Sequence, residues 1–138
     1  MEFLKFNEEF ASSYWEFSAE INKNYANDID EEILDLIEKL NFYVKKASVG
    51  NNFLEVSYFL PFMKNKAFIT KKFIQVLTTG LIKSISIDVF NSEHIRLFTI
   101  VITLEPLKCP NWFMDLNLSD GEILTLNIKY EINSVKIV

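Results

Sequence analysis

Apolar residues recur every three or four positions along the first part of the chain. Phe3, Phe6, Phe10, Tyr14, Phe17 and Ile21 fall on one narrow stripe when each residue advances by about 100°, while Glu9, Glu16, Glu20 and Lys23 fall elsewhere. The spacing predicts an amphipathic helix, with Asn7 as a candidate cap ahead of Glu8 and Glu9. Asn22 to Asp30 has turn composition. A second helix is predicted beyond it, opened by Asp28 with Glu31 and lined inside by Ile33, Ile37, Leu40, Val44 and Ala47. Acids crowd its first turns and Lys45 and Lys46 its last, in keeping with the helix dipole, and Gly50-Asn51-Asn52 ends it. A rival reading makes residues 42–49 a strand that hairpins through Gly50-Asn51-Asn52.

After Asn52 the period changes to two. Residues 53–60 read as a strand closed by Pro61. Residues 67–79 suit either state, because Ile69, Phe73 and Val76 have helical spacing while the β-branched content suits strands. Residues 83–90 alternate cleanly, and residues 95–104 are apolar on both faces, which places them in the middle of a sheet. A hairpin joins residues 113–118 to 123–132 through Asp120-Gly121, with Leu124, Leu126, Ile128, Tyr130 and Ile132 facing inward. Residues 134–138 have the makings of a short edge strand. The predicted fold class is α+β: two N-terminal amphipathic helices packed on one face of a mostly antiparallel sheet of about five to six strands. With 138 residues and no linker or repeat, residues 1–138 read as a single domain with an ordinary hydrophobic core.

Charge changes this picture because it is sorted by position. Residues 1–38 hold eleven acids and two lysines, residues 39–83 hold eight lysines and one acid, and residues 84–138 hold seven acids and four bases, giving the formal net charge of −5. Such sorting produces a negative helical surface and a separate positive region, and fields of that kind steer partners. The longest apolar stretch, residues 97–104, is far short of the roughly 20 residues of a spanning helix, and the N-terminus has no signal-peptide pattern. The expectation is a cytoplasmic protein that does not engage a membrane.

Candidate chemistry is sparse. His94, the only histidine, lies at a predicted turn, and its neighbour Glu93 would point to the opposite face of a strand. Cys109 is the only cysteine, with no basic cluster beside it to activate the thiol. One Cys and one His without close spacing make no zinc site, and three glycines build no phosphate loop. No catalytic residue, metal or cofactor is therefore expected. Lys64, Lys66, Lys71 and Lys72 interleave with Phe62, Phe68 and Phe73, the ingredients of a single-strand nucleic-acid surface. The acidic balance and the single arginine, Arg96, argue against that use.

The acidic helices give the stronger lead. On a helical wheel Glu31, Asp35, Glu38 and Lys39 lie opposite the inner stripe, with Phe42 among them, and Trp15 stands off the aromatic stripe of the first helix. A large aromatic ringed by acids has the form of an interface anchor. Glu31, Asp35, Glu38, Phe42 and Trp15 are the expected partner-binding residues. The expected partner is a basic protein, the concrete version being a toxin domain, such as a nuclease, neutralised by an immunity- or antitoxin-type inhibitor. The alternatives are a nucleic-acid or assembly module using the lysine-rich middle, and a small-ligand protein or enzyme with an aromatic pocket.

Overall fold

A computed structural model describes residues 14–22, 24, 29–60, 67–115 and 125–138. Seven strands and two helices follow one another as β1 (Tyr14–Ile21), α1 (Glu31–Glu38), a 3₁₀ turn (Leu40–Tyr43), β2 (Val44–Val49), β3 (Phe53–Phe59), α2 (Ala67–Thr78), β4 (Ile82–Phe90), β5 (Arg96–Leu104), β6 (Asn111–Asp115) and β7 (Thr125–Ile137). The fold is α+β, two helices against a curled antiparallel sheet. The sheet order is β1-β4-β5-β7-β3-β2, with β6 also paired to β7.

β7 organises this sheet. Its first half pairs with β3 on one side, from Phe53↔Glu131 to Phe59↔Thr125, and with β6 on the other, from Asn111↔Lys129 to Asp115↔Thr125. Its second half pairs with β5, from Leu104↔Ile132 to Ile100↔Ile137, after a bulge that shifts the register. The Glu105–Pro110 loop therefore swings out where β5 leaves β7 and β6 joins it. Inward residues alternate as the sequence pattern requires: Leu54, Val56 and Tyr58 on β3, Ile85 and Ile87 on β4, and Leu126, Ile128, Tyr130 and Ile132 on β7 are all buried. Onto this face α1 sets Ile33, Leu36 and Ile37, and α2 sets Phe73, Val76 and Leu77.

Two expected elements are corrected. The predicted first helix is, over residues 14–21, the strand β1, paired with β4 from Tyr14↔Phe90 onward; its earlier part, with Phe3, Phe6 and Phe10, lies outside the described residues. The same residues also alternate, with Trp15, Phe17, Ala19 and Ile21 against Glu16, Ser18 and Glu20, and pairing along β4 selects that period over the helical one. The second helix of the fold is instead α2, which resolves the ambiguity of residues 67–79. The predicted helix from Glu31 to Ala47 stops at Glu38, and the rival hairpin holds: β2 pairs with β3 across the turn at residues 50–52, so Lys45 and Lys46 lie on a strand. Asp30, in extended conformation, is the N-cap of α1, its carbonyl accepting from the Ile33 and Leu34 N–H groups; Asp28 lies outside the described residues.

Gly80 ends α2 with φ +74°, where a Cβ would stand 2.8 Å from the Lys108 carbonyl oxygen. This close approach fastens the end of α2 to the 105–110 loop. The Asp120-Gly121 turn of the last hairpin lies outside the described residues.

Candidate functional site

α1 is eight residues long, and its buried side uses Ile33, Leu36 and Ile37, so Glu31, Asp35 and Glu38 stand exposed on the opposite side at i, i+4 and i+7. None of these three carboxylates has an ion-pair partner among the described residues. Asp30, just ahead of the helix, is held by Lys72 at 2.9 Å. Glu31 suits the positive end of the helix dipole. Glu38 does not: it occupies the last turn, where no base accompanies it and the dipole is negative.

Phe42 lies in the 3₁₀ turn and is 79% exposed, the most exposed large apolar side chain among the described residues. Its neighbours explain why it stays outside: Leu40 is fully buried, and the Asn41 side-chain oxygen accepts the Phe17 N–H at 2.7 Å. That bond caps a main-chain donor on the side of β1 away from β4 and holds the turn against the strand. Phe42 and the three acids therefore do not share one helical wheel, as the longer helix had implied. They belong to two consecutive elements of one corner. Trp15 enters the same corner from β1, two residues before Phe17 and on the same face. It is half-buried against the core, its ring edge-on to Phe17 at 6.5 Å, rather than an anchor standing free on a helix.

The other candidates separate. Phe73 is fully buried, which removes it from any stacking surface, and Lys72 lies over Phe68 at 4.6 Å while pairing with Asp30. Phe62, Lys64 and Lys66 fall outside the described residues. His94 is exposed at a turn with φ +63°, and unlike its sequence suggested it has a partner: its Nδ1 lies 2.5 Å from the Tyr14 hydroxyl, whose ring stacks on Phe90. Cys109 is exposed beside an open cleft of about 240 Å³ lined also by Gly80, Lys108 and Glu131. Lys108 pairs with Glu131, and that hydrogen bond and charge raise its pKa. Among the described residues no three His, Cys, Asp or Glu side chains gather into a metal-holding group, and no helix is long and apolar enough to cross a membrane.

Two features went unseen in the sequence. Tyr58, opposite Leu126, and Tyr130, opposite Leu54, lie on the inward face of the β3–β7 ladder and reach toward each other along it, with their hydroxyls 2.9 Å apart inside the core. Burial raises both pKa values well above the ordinary tyrosine range, and for Tyr58 the neighbouring Tyr130 adds to the rise. Each lies at an inward position of an alternating strand, which was the available signal. The second is a shallow groove of about 220 Å³ on the β3–β7–β6 sheet, bordered by the exposed Trp112 and Phe113 with Glu55, Asn127 and Lys129.

No protein-family model matches the chain, and no curated protein does. Among solved structures it resembles a chain of the anti-feeding prophage (AFP) baseplate, determined by cryo-EM with six-fold symmetrisation. The TM-score is 0.41 and the identity 9%, over 91% of this chain and 76% of that one.

Proposed function

We propose that the chain is a non-catalytic protein-binding domain that takes a basic partner on the corner formed by α1, the 3₁₀ turn and β1. The observation that supports this most is the placement of Glu31, Asp35 and Glu38. Like charges at these spacings cost an isolated helix a few tenths of a kcal/mol per pair, Glu38 also opposes the dipole, and although Lys39 stands at the C-cap, none of the three carboxylates has an ion-pair partner among the described residues. Carboxylates kept against the local electrostatics are suited to a cationic surface supplied from outside. Phe42, in the turn that follows α1, then serves as the desolvated anchor, and Trp15, half-buried on β1, is the further partner-binding residue. The concrete form of the proposal is an immunity- or antitoxin-type inhibitor that covers the cationic site of a toxin such as a nuclease.

The test compares capture from the native host's lysate by the wild-type chain and by the Asp35→Lys/Glu38→Lys variant. The expected result is a basic protein that is held at low salt, released by added salt, and lost from the double variant. Co-expression of that protein with and without this chain then reads toxicity and rescue. Equal capture by both forms, or capture of acidic proteins alone, overturns the proposal.

A further inference from the structure

Among the described residues the second half of β7 has a free margin on the side away from β5. Thr99 and Val138 exchange both backbone hydrogen bonds, so along this ladder the even-numbered residues Ser134, Lys136 and Val138 turn their N–H and C=O groups toward β5. Val135 and Ile137 turn theirs the other way. No strand among the described residues meets them there: β3 ends its pairing at Phe53↔Glu131, and the last bond described on that side runs from the Ile132 N–H to the Asn52 carbonyl. The side chains at this margin are apolar and open, Ile137 at 73% and Val138 at 75% exposure. An unpaired strand edge with such side chains is a template for another strand, and natural sheets usually blunt it with charge, proline or a bulge. Here the bulge precedes the stretch and Lys136 is its one charge.

We infer that this edge takes a second copy of the chain by antiparallel strand addition. Self-pairing is restricted by which groups point outward. A two-fold axis beside Lys136 would pair Val135 with Ile137 through outward groups, but it sets two lysines directly opposite in the close non-hydrogen-bonded pair, where like charges are destabilising. An axis beside Ile137 matches only residues 136–138 of the described strand and sets Lys136 across from Val138. An axis beside Val135 satisfies every requirement. Val135 lies against the second copy's Val135 with both bonds exchanged, Ile137 lies across from Asn133, and Lys136 lies across from Ser134. The parity of the side chains is kept as well. Val135 and Ile137, which sit opposite Ile102 and Ile100 on the core side of the sheet, meet apolar or amide neighbours there, and Lys136 stays on the outer side. A pairing that is its own complement is what a closed two-fold dimer requires. The contact is short and each copy carries a charge of −5, so the dimer is weak, with half-association between micromolar and millimolar concentration. It is independent of the acidic corner, which lies at the other edge of the sheet.

Sedimentation equilibrium of the full chain from micromolar to millimolar concentration tests this. A monomer–dimer equilibrium is expected. Val135→Pro removes an outward N–H without touching a bond to β5, and should weaken the dimer by at least about tenfold, with thermal unfolding close to wild type. Ser134→Glu sets a carboxylate opposite Lys136 twice per dimer and should tighten association about two- to thirty-fold, the worth of two cross-strand ion pairs. This second variant tests the register even if proline disturbs the strand. A chain that stays monomeric at millimolar concentration overturns the inference and leaves the edge to a strand from another protein. A dimer indifferent to both substitutions overturns it too.

Discussion

The two halves of β7 have similar apolar alternation and different surroundings. In the first, Leu126, Ile128, Tyr130 and Ile132 are between 0% and 8% exposed, with β3 and β6 on either side and the helices above. In the second, Val135 and Ile137 are 39% and 73% exposed, with β5 on one side alone. The same alternation therefore yields core in one half and interaction surface in the other. What separates them is a bulge and the 105–110 loop, which ends one neighbour and begins the next. Burial here is a property of the pairing around a residue more than of the residue itself.

The sharpest way to break that contrast is truncation in each half. Leu126→Ala should cost about 2–5 kcal/mol, because it empties a fully enclosed site, whereas Ile137→Ala should change stability by no more than about 0.5 kcal/mol. Equal costs in urea denaturation would mean that the second half is as buried as the first. Next in size is the junction. Gly80→Ala forces a Cβ against the Lys108 carbonyl at a positive φ, and should cost about 1–3 kcal/mol in the same assay.

The tyrosine pair gives a pH test confined to the first half. Removing one hydroxyl, as in Tyr130→Phe, strands the other in the core at about 1–3 kcal/mol, while the double Phe variant should be closer to neutral. Folding holds both hydroxyls protonated beyond about pH 10, where an unfolded tyrosine ionises. The unfolded chain then binds fewer protons, so stability should fall as pH rises above about 10, while below it the pair gives stability no dependence on pH. Alkaline unfolding should move to higher pH in the double variant. The smallest effect concerns the acidic corner. Glu38→Lys should stabilise the fold by about 0.3–1 kcal/mol, since a base suits the end of α1, while Phe42→Ala should leave stability within about 0.5 kcal/mol. Partner binding should behave oppositely, with association slowed by the first and dissociation quickened by the second.

How much of this was legible depended on whether one period fitted a segment or two. Residues 82–90 and the first half of β7 alternate without a competing pattern, and their strands and inward faces follow directly. Residues 14–21 satisfy both periods, helical through Tyr14, Phe17 and Ile21 and extended through Trp15, Phe17, Ala19 and Ile21. Only pairing with β4, more than sixty residues along the chain, decides between them, and no local window contains it. Val44 and Ala47 pose the same problem, settled by β3. For the site, the exposure of Glu31, Asp35 and Glu38 follows from their charge and spacing. The position of Trp15 does not, because it depends on the state of β1. The open edge of β7 was visible only as a short terminal strand, since which neighbours it lacks is a matter of topology.

The hydrogen bond from Phe17 to the Asn41 side chain has a consequence for the timing of recognition. It ties the residue next to Phe42 to the sheet, so the anchor is carried on a turn already immobilised before any partner arrives. A complex formed there forgoes less chain entropy on docking than one built on a loose loop, and its lifetime is set by the depth of the partner's pocket.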